Sequence, residues 1–440
     1  MINVVLFITF VMHMCALYIR KLKVKENFTI DYFALFLLAS FLYNFLGQFT
    51  IIKYDDINEP ETFLFSVFIL ANSLVLVVAA AIFPKLDIWA SAAKNPKSLK
   101  YFVIGFVALC IGYVFWQLNY ARVGGILTSI FETFNRVDRN AMLTEQRGNL
   151  PYVHFFFIAN VFLYYAFLLK TSSVKKSVAY TCLLLSPLLA FFFLEGERSS
   201  LLKHLLVFWF VTAFYKRSAP AINYRLVTVG LTVVLLFALI GNLRSHLVIY
   251  IVTGDSAPII NQVDFKGPSL VIPNEFSAVL FTAKKNYSLM NQGKLVYDYG
   301  YTFWQGIPYL FPRSVYDLVG LVKSPTVADA FGDSIANEIG ADRKMGFGMS
   351  ILGENIKNFG YFAIFGQLFE LLLLFVILSG ISKLKSAQIV SVALIPCFFL
   401  INRMAFASVF STIMYVFVIS WIFIFAYNAV MSLRYIKSRM

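Results

Sequence analysis

Charged residues are scarce in this chain, and acidic residues are scarcer than basic ones. Only 14% of the 440 residues are charged, with 23 acidic and 37 basic side chains. Soluble domains are about one quarter charged, so this composition excludes an ordinary soluble enzyme. The net charge of +14 would suggest a nucleic-acid partner in a soluble chain. In a membrane protein the distribution of charge between the two sides matters more, and we expect no nucleic acid as a partner.

Cysteine and histidine are also rare, with four residues of each type. Cys15, Cys110, Cys182 and Cys397 all fall within apolar runs. No two of them have the close spacing of a metal-binding CxxC motif, and none lies in a polar loop. We therefore predict neither a disulfide framework nor a metal site, and we expect no cofactor.

Long apolar runs are what the chain has in abundance, since 60% of its residues are hydrophobic and the mean hydropathy is +0.75. A helix needs about 20 mostly apolar residues to cross a bilayer, and its backbone polar groups must be paired within the helix. The sequence therefore predicts an all-α polytopic integral membrane protein with eleven transmembrane helices. The predicted spans are 2–18, 31–52, 63–83, 101–118, 152–169, 178–194, 201–215, 226–243, 359–381, 387–402 and 407–429.

Alternate connections between these spans are basic, and this pattern predicts the orientation of the chain. One set of connections holds 19 of the 37 basic residues, 14 of them lysine. Basic connections stay in the cytoplasm, which puts the N-terminus outside and the C-terminus inside. The organisation is then eight spans within 1–243 with an outer loop at 119–151, a large outer segment at 244–358, and three spans with a cytoplasmic tail in 359–440.

Arginine takes the place of lysine on the predicted outer side. Lysine is sufficient as a topological point charge, whereas the planar guanidinium group of arginine suits bidentate contact with phosphate. In a helix, Arg136, Arg139 and Arg147 would share one face within about 80° of arc. Such a face fits either an interfacial helix that meets lipid headgroups or a site for a bound anion.

Separate elements are predicted to direct arginines to one level just outside the bilayer core, where the diphosphate head of a lipid would lie. Ionisable groups at a span mouth are costly unless they face each other or a polar cavity, and the short turn 195–200 (EGERSS) concentrates several of them. The candidate diphosphate-binding residues are Arg122, Arg136, Arg139, Arg147, Arg198, Arg244, Arg313, Arg343 and Arg403.

Three phrases stand out in the large outer segment. They are PNEF at 273–276, YDYGYTF at 297–303 with a following IPYLFPRSVYDLVGLVKSP, and GFGMSILGE at 346–354 with a following NIKNFG. Their order and position resemble the Wzy-type family of bacterial O-antigen and capsule repeat-unit polymerases, and the resemblance covers nearly the whole chain. The matching patterns are YxYG…PR…K(P) and GxGxSxxxExxxNFG, with Ser324 inserted before the proline of the first.

The resemblance implies a membrane glycosyltransferase, with a fold like that of the GT-C type, in the bacterial inner membrane. Its active site would face the periplasm. The growing glycan would move from undecaprenyl diphosphate to a hydroxyl at the non-reducing end of the next lipid-linked unit. The implied partners are undecaprenyl-diphosphate-linked oligosaccharides, membrane lipid and a chain-length regulator protein. No Gly-rich nucleotide loop or DxD pair is present on the cytoplasmic side, so a nucleotide sugar is not the expected donor.

Such a reaction needs a base for the acceptor hydroxyl and a surface for the sugar rings. Glu354, just before NFG, is the first candidate base, with Glu275 and His246 as the alternatives; Glu354 could equally be a carboxylate at a helix N-terminus. The aromatic side chains suited to stack on sugars, or to form a membrane-interface belt, are Tyr299, Tyr301, Trp304 and Tyr309.

Three other functions stay open at this point. An O-antigen ligase would use the same leaving group with a different acceptor. A lipid-linked oligosaccharide flippase would distribute polar residues through the centre of the bundle. A solute transporter would show paired halves with interrupted helices. In this sequence the polar groups gather near one mouth, which favours the polymerase.

Overall fold

The computed structural model describes residues 1–24, 31–49, 60–86, 98–121, 151–195, 198–218, 274–311, 316, 319, 349–384 and 387–437. Regular structure in these residues is helical. The main helices are α1 (Ile2–Val24), α2 (Tyr32–Ser40), α3 (Pro60–Ile82), α4 (Ser98–Ala121), α5 (Tyr152–Thr171), α6 (Val174–Glu195), α7 (Arg198–Tyr215), α8 (Asn274–Asn291), α9 (Ile351–Phe359), α10 (Ala363–Lys383), α11 (Gln388–Leu394), α12 (Cys397–Leu400) and α13 (Phe406–Lys437).

Eight apolar stretches within the described residues are long enough to cross a membrane, which makes the chain a helical, multi-pass membrane protein. Ten of the eleven predicted spans coincide with helices, and 226–243 lies outside the described residues. Two of the ten, Ser200–Tyr215 and Gln388–Leu400, are shorter apolar helices. The total number of spans therefore stays a prediction.

A buried ion pair fastens the first three helices at one end of the bundle. Arg20, near the end of α1, is fully buried and pairs with Asp31, the N-cap of α2. Its Nη1 also donates to the carbonyl oxygen of Phe83 at 2.6 Å, and its Nη2 donates to that of Pro84 at 2.8 Å. Because carbonyls at a helix C-terminus lack partners within the helix, these bonds tie α1 to the end of α3.

The apolar stretch from Ile351 to Lys383 is a helical hairpin, although its sequence reads as one continuous span. Gly360 adopts a left-handed φ of +59°, which glycine accepts without strain, and the chain reverses there. Asn355 on α9 then bonds to Glu370 on α10 at 2.9 Å. In a straight helix the two residues would be about 22 Å apart. The predicted span 359–381 therefore begins after a short separate helix.

The predicted span 387–402 is also interrupted. Helix α11 ends at Leu394, and α12 begins at Cys397 after a turn through Ile395 and Pro396. Proline donates no backbone hydrogen bond, which breaks the helical ladder at this point. Helix α2 does not break but changes its hydrogen-bond pattern, and it continues as a π-helix over Phe41–Leu46.

Helix α8, from the segment 244–358, packs into the bundle. Ser288 of α8 donates a 2.7 Å hydrogen bond to Glu61 in the first turn of α3, at the opposite end of α3 from Arg20. Asn286 donates to the carbonyl oxygen of Gly353 at 3.0 Å and so links α8 to α9. Apolar side chains of α3, α8 and α9 form a shared core with Phe65, Ile69, Leu280, Ala283, Leu352 and Ile356.

Candidate functional site

Glu354 lies in the first turn of α9 and is completely buried. Ser350 begins the helix as its N-cap, because its side chain accepts a hydrogen bond from the Gly353 backbone. One carboxylate oxygen of Glu354, Oε2, accepts a 2.6 Å hydrogen bond from the backbone N–H of Phe406, at the start of α13. The other oxygen, Oε1, has no hydrogen-bond partner among the described residues. A buried carboxylate with one unsatisfied oxygen is suited to receive a proton.

The two phrases that carry the family resemblance meet next to this carboxylate. The backbone N–H of Gly300, in YxYG, donates to Oδ1 of Asn358, in NFG, at 3.1 Å. Nδ2 of Asn358, one turn after Glu354 in α9, donates to the Thr302 hydroxyl at 2.7 Å. Tyr299 and Gly300 both have positive φ, which turns the chain so that its backbone faces Asn358.

An ion pair closes the junction of the phrases on its more exposed side. Lys357 Nζ lies 3.1 Å from Asp298 Oδ2, and the Asp298 backbone N–H donates to the Lys357 carbonyl oxygen at 3.1 Å. Both side chains are about one quarter exposed, at 28% and 23%. The pair and the Asn358 bonds hold together residues that lie more than fifty positions apart in the sequence.

Of the nine predicted diphosphate-binding arginines, Arg403 is the one whose side chain the structure describes. It is half-buried in the turn between α12 and α13. The same turn accepts a 3.0 Å bond from the Ile351 N–H to the Ile401 carbonyl oxygen. Three residues after Arg403, Phe406 donates to Glu354. The structure therefore brings this turn and the candidate base together.

Glu370, whose partner could not be read from the sequence, is paired through the hairpin. Its Oε1 accepts a 2.9 Å hydrogen bond from Nδ2 of Asn355. The same nitrogen also donates to the Ile351 carbonyl oxygen at 2.9 Å. Its Oε2 has no partner within the described part of the chain, and the residue is fully buried. A Cβ atom on Gly366 would lie 2.0 Å from Asn355 Oδ1, so only glycine permits this approach of α9 to α10.

Buried polar side chains extend from this region into the centre of the bundle. Gln367, one turn before Glu370, donates to Asn72 of α3 at 3.4 Å. The adjacent Ser73 lies 3.3 Å from His13 Nδ1 of α1, and His13 Nε2 lies 3.4 Å from Ser40 of α2. The sequence indicated that polar groups gather near one mouth of the bundle. The structure shows that they also extend through its centre.

The other two histidines of the described spans, His154 and His204, have packing partners. Nδ1 of His204 lies 3.0 Å from Nδ2 of Asn160. The ring of His154 stacks on that of Tyr415 at 5.0 Å between centroids. Neither contacts Glu354 through a hydrogen bond among the described residues.

Three of the four candidate sugar-binding aromatic residues are accessible to solvent or lipid. Tyr299 is 81% exposed, Tyr301 56% and Trp304 70%. They flank Thr302, which is buried beside Glu354. The side chain of Tyr309 lies outside the described residues. An aromatic surface therefore adjoins the candidate base, and its exposure fits a sugar platform or an interface belt equally.

The remaining candidates cannot be located in relation to Glu354. Glu275 lies in α8 and Arg198 begins α7, but their side chains are outside the described residues. Also outside the described residues are His246, Arg122, Arg136, Arg139, Arg147, Arg244, Arg313 and Arg343. Their convergence stays a prediction.

Sequence reasoning did not assign Thr302, Asn355 or Asn358 to the candidate site. Thr302 lies two residues after the last residue of YxYG, and Asn355 directly follows Glu354. Their closeness to these two phrases in the sequence was the signal that could have identified them. Within the described residues, no group of three or more His, Cys, Asp or Glu side chains is arranged to hold a metal ion.

A separate apolar cavity of about 310 Å³ lies between α1 and the end of α2. None of its lining residues belongs to the elements that hold Glu354, and none is ionisable. The lining consists of Asn3, Leu6, Phe7, Phe10, Phe45 and Phe49.

Comparison with known proteins identifies no relative of this chain: no family model, curated protein or solved structure matches it.

Proposed function

We propose that this protein polymerises lipid-linked oligosaccharide repeat units at the outer face of the bacterial inner membrane. The growing glycan is transferred from undecaprenyl diphosphate to a sugar hydroxyl at the non-reducing end of the next undecaprenyl-diphosphate-linked unit. A chain-length regulator is the protein partner that the family resemblance suggests. The proposal rests on that resemblance together with one structural observation, the junction of the two phrases around Glu354.

That junction supplies what the reaction needs from a base. Glu354 is buried, carries an oxygen without a partner among the described residues, and adjoins the exposed aromatic residues Tyr301 and Trp304. In the proposed step Glu354 takes the proton of the acceptor hydroxyl, whose oxygen bonds to the anomeric carbon of the donor sugar. The bond from that carbon to the diphosphate oxygen breaks, and the diphosphate leaves with the electron pair.

Negative charge grows on the leaving diphosphate during this step. Guanidinium groups fixed around it would stabilise the transition state more than the ground state and so accelerate the reaction. Arg403 supports this role because its turn adjoins the first turn of α9. Arg136, Arg147 and Arg198 are proposed to act with it on the strength of the sequence pattern. The base and arginines together require no metal ion.

A flippase for lipid-linked oligosaccharides is the second candidate, and a specific observation favours it. Buried polar side chains, among them Gln367, Asn72 and His13, run through the bundle, and α11–α12 is interrupted. Intramembrane polar groups of this kind mark transport pathways in other membrane proteins. An O-antigen ligase remains the third candidate, since its donor chemistry is the same.

The three candidates differ in what accumulates when the protein is removed. We would delete the coding sequence and separate the surface and lipid-linked glycans by gel electrophoresis. Loss of a polymerase leaves single repeat units on the lipid anchor. Loss of a ligase leaves long chains on undecaprenyl diphosphate, and loss of a flippase leaves single units on the cytoplasmic side. Either of the last two results would overturn the proposal.

A further inference from the structure

Glu370 is a carboxyl group inside a spanning helix with no counter-charge in the part of the chain that the structure describes. It is fully buried, and the ion pairs of the described residues are formed by Asp31 and Asp298. Burying an ionised carboxylate without a cation is very costly, whereas the neutral acid costs only its hydrogen bonds. Ionisable residues at such positions are generally functional.

The hydrogen bonds around Glu370 match those of a neutral acid. Nδ2 of Asn355 donates to two acceptors, the Ile351 carbonyl oxygen and Glu370 Oε1. This pattern fixes the orientation of the amide, because only its nitrogen can donate to both. Among the described residues, Glu370 therefore receives one hydrogen bond at Oε1 and none at Oε2. A single donor is a small compensation for a buried negative charge, whereas a neutral carboxyl group carries no charge to compensate.

Glu354 lies in surroundings that are better suited to an ionised carboxylate. The Phe406 backbone N–H donates to it over only 2.6 Å. The Thr302 hydroxyl already accepts from Asn358, so its own hydrogen is free to point at the neighbouring Glu354. Glu354 also lies in the first turn of α9, where the helix dipole favours a negative charge, whereas Glu370 lies within α10.

We propose that Glu354 and Glu370 hold one proton between them and that this proton resides on Glu370. Asn355, the residue after Glu354, donates to Glu370, so ionising both buried carboxyl groups would place two like charges close together. Keeping Glu370 neutral removes that repulsion and leaves Glu354 ionised. The role of Glu354 as a base rests on the proposed function, but the position of the proton does not.

Other charged groups near the hairpin are engaged elsewhere. Lys357 of α9 is paired with Asp298. The hydrogen bond between α3 and α10 joins Asn72 to Gln367, and neither side chain is ionisable. Arg403 belongs to the turn that contacts the first turn of α9, next to Glu354.

Infrared spectroscopy tests the proposal directly, because a protonated carboxyl group has a C=O stretching band separate from that of a carboxylate. The full-length protein would be reconstituted in lipid vesicles at neutral pH, as wild type and as Glu370→Gln, Glu354→Gln and Glu61→Gln. Glu61, which accepts from Ser288 and Gln292 at the end of the bundle, is the matched control. We expect the protonated-carboxyl band in wild type, Glu354→Gln and Glu61→Gln, and its loss in Glu370→Gln.

A band that is lost in Glu354→Gln and retained in Glu370→Gln would put the proton on Glu354 and overturn the proposal, as would a band that neither substitution changes. Glu370→Asp covers the case in which Glu370→Gln fails to fold: it keeps a carboxylic acid, so the band should shift rather than disappear. The spectra do not depend on glycan synthesis. Normal glycan ladders in Glu354→Gln would remove the proposed base and leave the spectroscopic result standing.

Discussion

Glu354 is the single side chain on which the proposed chemistry depends, and Glu354→Gln removes its basicity while keeping its shape. General base catalysis contributes about 10²–10⁴-fold to a rate. We therefore expect chain extension to fall by at least about 10²-fold, measured as the loss of the glycan ladder in a deletion strain that carries the variant. Glu61 is a carboxylate in the first turn of α3. Glu61→Gln is the control and should leave the ladder unchanged. A normal ladder from Glu354→Gln would eliminate it as the base.

Gly366 should be intolerant of any side chain. An added Cβ would lie 2.0 Å from Asn355 Oδ1, so alanine must displace the Asn355 side chain from its bond to Glu370 or push α9 away from α10. Overpacking of this kind costs about 1–3 kcal/mol, which we expect as a lower midpoint of thermal unfolding for Gly366→Ala in detergent. A Cβ atom added to Gly380, in the same helix, would meet nothing within 4 Å among the described residues. Gly380→Ala should therefore be neutral or slightly stabilising, and equal effects from both variants would contradict the close approach.

At the scale of single residues, the sequence identifies Glu354 through a phrase but not through its surroundings. Burial, the bond from Phe406 and the neighbouring Thr302 all come from segments distant in the chain. Glu370 stands out in the sequence because a carboxylate interrupts an apolar run. Its partner Asn355 could not be predicted, since the two residues meet only after the chain has reversed at Gly360.

At the scale of the helix, hydropathy located the spans well and described their continuity poorly. A hairpin and a single long helix give the same apolar profile from Ile351 to Lys383. The feature that separates them is the left-handed backbone of Gly360, and a glycine within an apolar helix is otherwise common in membranes. Pro396 was a clearer signal, because proline interrupts a helix by removing a hydrogen bond.

The buried Arg20–Asp31 ion pair ties α1, α2 and α3 together. We therefore expect that removing its positive charge lowers the stability of the protein strongly. Arg20→Met leaves Asp31 buried without its partner, and breaking a buried ion pair costs about 3–5 kcal/mol. We expect a correspondingly lower unfolding midpoint and less protein in the membrane. Adding Asp31→Asn removes the unpaired charge and keeps an N-cap for α2, so the double variant should recover much of the loss.

Lys23→Ala is the matched control for that experiment. Lys23 bonds to the carbonyl oxygens of Ala81 and Ile82 at the same end of α3 but is exposed, and exposed pairs contribute little. Its substitution should change the free energy of unfolding by less than about 1 kcal/mol. If the double variant were less stable than Arg20→Met alone, the cost would not come from the unpaired charge of Asp31.

At the scale of the whole molecule, the proposed arginine pocket gathers side chains from several connections. Arg→Ala at Arg136, Arg147, Arg198 or Arg403 should each abolish chain extension without loss of protein from the membrane, measured by the glycan ladder and by immunoblotting. Arg→Lys should restore activity only in part, since lysine lacks the bidentate fork. Lys175→Ala, at an exposed position on the other predicted side, is the control. Unchanged ladders from all four alanine variants would contradict the proposal that these arginines bind the diphosphate.

The orientation of the bundle is the last property that the proposed chemistry requires, because polyprenyl-linked donors of this kind react on the outer side. Arg20 and Glu61 lie at opposite ends of α3, a helix of 23 residues and thus about 34 Å long. Basic connections near Arg20 predict that this end is cytoplasmic. A fluorescent-protein fusion after Val24 should therefore be bright, and an alkaline phosphatase fusion after Gly293, next to α8, should be active. The reverse pattern would turn the Glu354 site towards the cytoplasm and exclude the proposed donor.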